Sequence, residues 1–426
     1  KQVSENAQRI SQTCGGREMK IERPRGTRDF LPDEMERRRA VERVMREIAE
    51  SFGYREVSTP TFEHLELFTL KSGQGIVEEI YAFRDKSGRE LALRPELTAP
   101  VMRMFVNECS VMPRPLRFYY LSNCFRYERP QKGRYREFWQ FGVELIGSDR
   151  PESDAEVIML AYRILKSLNV NFKLHVGHVG LLRDVLSDVS EKDRAMRLID
   201  KKDWEGLRAL LKEEGQADIF DTVIEISEAS DVEKAREVYP DFDYSYLEVL
   251  FGILEEMDVR FVPDFGIARG LDYYTGVVFE MYAEGLGAQK QVCGGGSYRL
   301  SGLFGGEDVP STGFAIGFDR VVQVCSVEIL RKPKAVVVGF GDSIRAFRVA
   351  EMLRSAGIHA IVDVMGRNVK KQLSYADSIK ADFAVFAGDE LERGQVRIKN
   401  LRTQEQEDVS LKDLRGYFSG FLNSGS

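Results

Sequence analysis

No run of about eighteen apolar residues occurs in the 426-residue chain, so no transmembrane helix is expected. No signal-peptide pattern opens it either. Cysteine is scarce. The five (Cys14, Cys109, Cys124, Cys293 and Cys325) are scattered, with no Cys-x-x-Cys pair. That speaks against a disulfide-stapled fold and against structural zinc, and suits free thiols in a reducing cytoplasm. Histidine is scarcer still, with four residues. Only His175 and His178 stand close together, and no further His or Cys nearby completes a metal set, so no metal-ligating residues are assigned. Basic charge is not in excess. A net charge of −7 argues against a protein that coats phosphates with Lys and Arg regardless of sequence, while leaving room for a local basic patch.

What is present fits an ordinary globular chain, 43% hydrophobic and 30% charged. Its length suggests roughly two to four domains. Residues 1–18 are polar, without apolar periodicity, and read as a tail. Glu34–Phe52 carries Met35, Val41, Val44, Met45, Ile48 and Ala49 at helical spacing, begins after Pro32 and stops at Gly53. Strands are expected at Tyr54–Pro60, Glu79–Arg84, Glu90–Arg94, Leu116–Tyr127 and Phe138–Gly147. Helices are expected at Ala99–Glu108 and Ser153–Leu168. Many strands on short links imply an antiparallel sheet with helices on one side, an α+β fold. Residues 181–257 are charged and helical throughout and read as an insertion into a domain spanning 19–331. Beyond Lys332-Pro333 the order becomes βαβαβ, a separate α/β domain over 332–426 with a mostly parallel sheet. Its Gly339-Phe340-Gly341 turn lacks the third glycine and the acidic residue of a dinucleotide site.

The most informative stretch is Phe125–Glu144. Two alternating, aromatic-rich limbs flank a basic loop, which makes a hairpin tipped by Lys132, Arg134 and Arg136. Side chains two apart share a face. Arg126 and Glu128 therefore point one way, as do Phe138, Gln140 and Glu144, with Gly142 leaving a gap. Exposed charge pairs are common on plain sheet surfaces. Here the opposite face carries Phe, Trp and Val, so the polar side reads as the floor of a site for a zwitterion beside a nucleotide.

Other segments supply matching chemistry. Pro95 holds Arg94 extended, and Glu96 and Thr98 stand at a strand-to-helix junction. They would cap the helix, or, joined by Gln140, accept from an ammonium group, and the ammonium reading is preferred. Arg269-Gly270-Leu271-Asp272-Tyr273-Tyr274 sets an arginine beside a carboxylate and two phenols, suited to charge growing at a phosphoryl centre, or to an aromatic core with a snorkelling arginine. Cys293–Tyr298 offers consecutive glycines on which a ligand could lie. Gly313 and Gly317, four apart, are expected to clear one helix face, with Arg320 following on the same element. Arg320 would reach a phosphate or pair with Asp319 or Glu328. Arginines for polyphosphate and carboxylates for an ammonium and for Mg²⁺ on the phosphates are what ATP-dependent activation of a carboxylate needs. A positioned carboxylate attacking in line requires no nucleophile or general base from the protein.

The run from Phe125 to Gln140 resembles motif 2 of class II aminoacyl-tRNA synthetases in the form found in histidyl-tRNA synthetases. Arg23–Asp29 resembles that family's N-terminal signature, Gly53–Pro60 its motif 1, and Gly313–Arg320 its motif 3. The Gln131–Arg136 and Arg269–Tyr274 runs resemble elements specific to the histidine enzymes. The resemblance covers residue 20 to the end and implies a histidine–tRNA ligase of the cytoplasm, a homodimer acting on ATP with Mg²⁺, L-histidine and tRNA(His). It implies Arg126 at the α-phosphate and substrate carboxylate, Glu128 at the adenine edge, Phe138 at the adenine face and Arg320 at the γ-phosphate. Glu96, Thr98 and Gln140 would hold the α-ammonium, and Glu144 with Tyr274, beside Tyr273, the imidazole. Arg269 would act at the α-phosphate, and Gln131, Lys132, Arg134 and Arg136 at the tRNA acceptor end. The last domain is similar to the anticodon-binding domain of the glycine, threonine and proline enzymes. One departure stands out: the family follows its glycines with Arg-Tyr-Asp, where this chain has Ser297-Tyr298-Arg299. The alternative is a histidine-binding regulatory paralogue of histidine biosynthesis that charges no tRNA. Such proteins lack the last domain and lose catalytic arginines, both of which this chain retains.

Overall fold

A computed structural model describes residues 21–72, 74–128, 135–267, 273–287, 290–329 and 331–422. It divides into two compact units, one running to Val327 and one from Glu328 onward.

The first unit is built on an eight-stranded sheet. In spatial order the strands are Arg55–Glu56, Leu116–Phe125, Glu137–Ile146, Ser311–Gly317, Gln291–Tyr298, Tyr274–Ala283, Phe172–His178 and Val262–Pro263. The six long central strands run antiparallel, and each two-residue edge strand pairs parallel with its neighbour. The expected hairpin is there, in register from Leu116 opposite Ile146 to Phe125 opposite Glu137. Its tip, residues 129–134, lies outside the described residues.

Helices Pro32–Ser51 and Pro151–Ser167 pack together behind the sheet. Both begin on proline with acidic residues in the first turn, which suits the positive end of the helix dipole. The first turns out of its helix at Gly53, where φ is +83°, a value only glycine adopts without strain. Val41, Met45 and Ala49 on the first helix and Val157, Ile158, Leu160, Ala161, Ile164 and Leu165 on the second are fully buried. The insertion folds as helices Lys192–Asp200, Trp204–Glu213, Ile219–Glu228, Val232–Val238 and Ser245–Glu256. Asp203 and Asp231 cap two of them by accepting from Gly206 and Lys234 amides. Its buried side chains, among them Leu207, Val223, Leu250 and Leu254, belong to the same apolar core as the sheet.

Several local expectations change. The Tyr54–Pro60 run forms only a two-residue strand, because just Arg55 and Glu56 pair along the sheet edge. Gln74–Glu79 is a 3₁₀ turn and strand begins only at Ala82. The helix after Glu96 covers Thr98–Met104 and widens to a π turn over Phe105–Cys109. Gly313 and Gly317 lie on a strand, not a helix, and Arg320 stands on the separate helix Phe318–Val324 that follows.

The second unit carries a five-stranded sheet in the order His359–Val362, Lys334–Gly339, Phe383–Ala387, Gln395–Asn400, Gln406–Ser410. The first three strands are parallel and the last two antiparallel. Helices Ser343–Ser355 and Val369–Ser378 make the crossovers, capped by Asp342 and Asn368. Val337, Val349, Leu353, Phe383, Ile398 and Phe418 form its own core.

Candidate active site

A cavity of about 620 Å³ opens on the free face of the large sheet. Strand alternation builds its floor. On Glu137–Ile146, Phe138, Gln140 and Glu144 face the cavity, while Phe141, Val143 and Leu145 are buried beneath. Glu96, Thr98, Arg126, Glu128, Tyr273, Tyr274 and Arg320 line the same cavity. Arg269, Gln131, Lys132 and Arg134 lie outside the described residues. Arg136 is described but lines no part of the cavity. Its amide donates to the Gly26 carbonyl at 2.8 Å, and its guanidinium lies 4.3 Å from the Tyr127 ring centre.

Glu144, on the cavity floor, is 1% exposed. Gly142 leaves the expected gap, and the Tyr120 phenol fills it. A Cβ at Gly142 would stand 2.4 Å from the Tyr120 hydroxyl, which donates to Glu144 Oε1 at 3.1 Å. Tyr298 donates to Glu144 Oε2 at 2.5 Å. Across the strands Gly313 pairs with Glu144, and a Cβ there would stand 2.1 Å from Oε2. The carboxylate therefore lies on bare backbone. Burial pushes its pKa up to about 7, against the pull of the Tyr298, Thr98 and Tyr120 hydroxyls. The two phenols are pushed well above their ordinary range by their own burial, then by Glu144.

Glu96 bears out the capping reading of its segment. It caps the helix, accepting from the Thr98 amide at 2.7 Å and the Ala99 amide at 3.2 Å. It also faces an ammonium, that of Lys71, at 3.1 Å. Lys71 was not foreseen. Its Nζ lies 4.2 Å from the Tyr273 ring centre.

Arg126 donates to the Pro95 carbonyl at 3.0 Å and lies 5.2 Å from the Phe138 ring centre. Arg320 donates to the Gln291 carbonyl at 2.7 Å. Asp319, offered above as a partner for Arg320, is taken by other groups. It accepts from the Trp139 amide at 2.7 Å, from Arg38 at 2.5 Å and from Arg28 at 3.4 Å. Arg38 is buried between Phe30 and Phe318, 3.9 and 4.8 Å from their ring centres. The N-terminal segment thus anchors the strand carrying Phe138 and the helix carrying Arg320. Tyr120 was not assigned from the sequence, although alternation with Arg126 places it on the same face. Tyr298 was likewise not assigned, although its place directly after the glycines could have pointed to it. Arg38 and Lys71 carry no local signal. Asp200, ending an insertion helix, also reaches the cavity.

Among the described residues no group of three or more His, Cys, Asp or Glu could hold a metal ion. His175 pairs with Asp264, and His178 accepts from the Gly180 amide.

The histidyl-tRNA synthetase family model matches residues 26–321, and an anticodon-binding-domain model matches 334–420. The chain is 64% identical over 406 residues to a histidine–tRNA ligase of Archaeoglobus fulgidus, covering 93% of this chain and 99% of that one. It is 52% identical over 399 residues to a histidine–tRNA ligase of Methanoculleus marisnigri, covering 92% and 97%. The apo crystal structure of S. aureus histidyl-tRNA synthetase superposes with a TM-score of 0.71 at 28% identity, over 94% of this chain and 100% of that one.

Proposed function

This chain belongs to the histidyl-tRNA synthetase family, and from that premise we propose how its cavity activates histidine with ATP for transfer to tRNA(His). One observation carries the reading: a buried carboxylate, Glu144, gripped by two phenols on the floor of a cavity that Arg126 and Arg320 also line. An imidazole N–H needs an acceptor, and its other nitrogen a donor hydroxyl, which Tyr274 supplies. Glu96, Thr98 and Gln140 hold the α-ammonium, with Lys71 displaced from Glu96. Glu128 and Phe138 receive the adenine edge and face.

The histidine carboxylate attacks the α-phosphorus in line and expels pyrophosphate, leaving histidyl-adenylate. Arg126 and Arg269 stabilise the charge growing at the α-phosphate, and Arg320 holds the γ-phosphate. The tRNA terminal hydroxyl then displaces AMP. Gln131, Lys132, Arg134 and Arg136 attend the acceptor end. Magnesium enters on the phosphates of ATP, as part of the substrate. The motif 1 segment supports a homodimer, and the free thiols of the four described cysteines support work in the cytoplasm. The regulatory alternative is disfavoured, because residues 334–420 match the anticodon-binding model.

ATP–pyrophosphate exchange with each of the twenty amino acids, without tRNA, tests this. Exchange with histidine alone is expected. Absence of exchange with every amino acid, with histidine still bound in a calorimeter, would overturn it in favour of the regulatory paralogue. Light scattering of the purified chain checks the dimer.

A further inference from the structure

Ser297-Tyr298-Arg299, where the chain departs from its family's pattern, turns out to join two faces of one strand. Neighbouring side chains on a strand point to opposite faces. Tyr298 enters the cavity and donates to Glu144. Ser297 points behind the sheet, where its hydroxyl donates to Asp154 Oδ2 at 2.8 Å. Asp154 stands in the first turn of helix Pro151–Ser167 and is 2% exposed. The same oxygen accepts from the Tyr246 hydroxyl at 2.7 Å. Tyr246 belongs to Ser245–Glu256, the last helix of the insertion. Asp154 Oδ1 and the neighbouring Thr312 hydroxyl are both buried without a hydrogen-bond partner among the described residues, and Thr312 is the cross-strand partner of Ser297.

We propose that Asp154 is a positioning residue for histidine recognition, tying the insertion through Tyr246 to the backbone from which Tyr298 reaches Glu144. This rests on Glu144 being the histidine acceptor. A buried carboxylate is costly unless its hydrogen bonds are made. Here the two bonds to Oδ2 come from different elements, a catalytic strand and an insertion helix, and among the described residues no cation pairs with it. Loss of either donor leaves the carboxylate short and frees it to shift toward the other. The seating of the insertion and the placing of Tyr298 are thereby coupled. By reciprocity, whatever seats the insertion tightens histidine, and histidine helps seat the insertion.

Tyr246→Phe and Ser297→Ala each remove one hydroxyl with little change of shape. Calorimetry on the full chain gives the Kd for histidine, pyrophosphate exchange gives KM for ATP, and thermal melting reports folding. Each variant is expected to weaken histidine about three- to tenfold, the weight of one hydrogen bond. ATP KM should not move. The double variant should be no worse than the weaker single, since both act through one carboxylate. Tyr246 lines no part of the cavity, so a merely structural role would not weaken histidine selectively. Histidine Kd within about twofold of the parent in both variants, strictly additive effects, or equal weakening of histidine and ATP would overturn the proposal. Absent exchange with intact histidine binding in the parent would refute only the charging function.

Discussion

Glu144→Gln should stabilise the fold at alkaline pH while impairing histidine binding. The carboxyl has an ordinary pKa of 4.5 and is held at about 7 by burial. Below pH 4.5 it is protonated in both the folded and unfolded chains and costs nothing. Between 4.5 and 7 the unfolded chain releases the proton and the folded one keeps it, so stability falls as pH rises. Above 7 the loss is complete, about 3 kcal/mol at 1.36 kcal/mol per pH unit. The Tyr298, Tyr120 and Thr98 hydroxyls and the neighbouring Glu96 all act on this group, and their sum is already contained in the raised value. Glutamine is neutral throughout, so the variant escapes the penalty. Urea denaturation at pH 5 and pH 8 reads this directly. The variant should match the parent within about 1 kcal/mol at pH 5, the scale of one altered hydrogen bond. It should exceed the parent by about 2–3 kcal/mol at pH 8. Histidine Kd should rise at least about tenfold, since the acceptor lost is a charged one. In the parent, histidine affinity should climb from pH 6 to 8 as Glu144 ionises and the ligand imidazole becomes neutral. A variant with no stability gain between pH 5 and pH 8 would refute the burial argument.

Arg126→Ala should slow adenylate formation by about 10²–10³ in single turnover, as removal of a preorganised charge stabiliser does; a loss under about tenfold would end its assigned role. Gly313→Ala drives a Cβ to 2.1 Å from Glu144 Oε2 and 2.3 Å from the Val143 carbonyl. It should cost about 1–3 kcal/mol in denaturation and abolish histidine binding in the calorimeter, because neither neighbour has room to yield. Arg38→Ala removes the buried partner of Asp319 and should cost about 3–5 kcal/mol of stability. The loss of that anchor should also raise KM for ATP more than for histidine in exchange kinetics.

Much of the site was legible because strand periodicity is local. Arg126, Phe138, Gln140 and Glu144 could be placed on one face from spacing alone, and the cavity does collect them. The glycines at 313 and 317 were misplaced onto a helix for the same local reason, since a spacing of four fits a helix face and also fits every second step of a strand. The strand prevails because residues 311–316 pair on both sides with other strands and Gly317 pairs on one. Glu96 shows a different limit. Capping and ammonium binding looked like rivals in the sequence, and the folded carboxylate does the first while facing an ammonium.

Local patterns in the chain determined the hairpin, the helical insertion, the α/β character of the last 100 or so residues and the chemical class of the cavity's groups. Tertiary structure alone decided which partners tune them. Glu144 owes its raised pKa to burial, and its second phenol comes from a residue 154 positions away. Asp319 is held by an arginine 281 positions earlier, and Asp154 joins hydroxyls 92 and 143 positions away. Periodicity reports which face a side chain takes, over a span of a few residues. It carries no information on what will stand opposite once distant segments are packed together, and that opposing group sets the charge, the reach and the cost of each residue in the site.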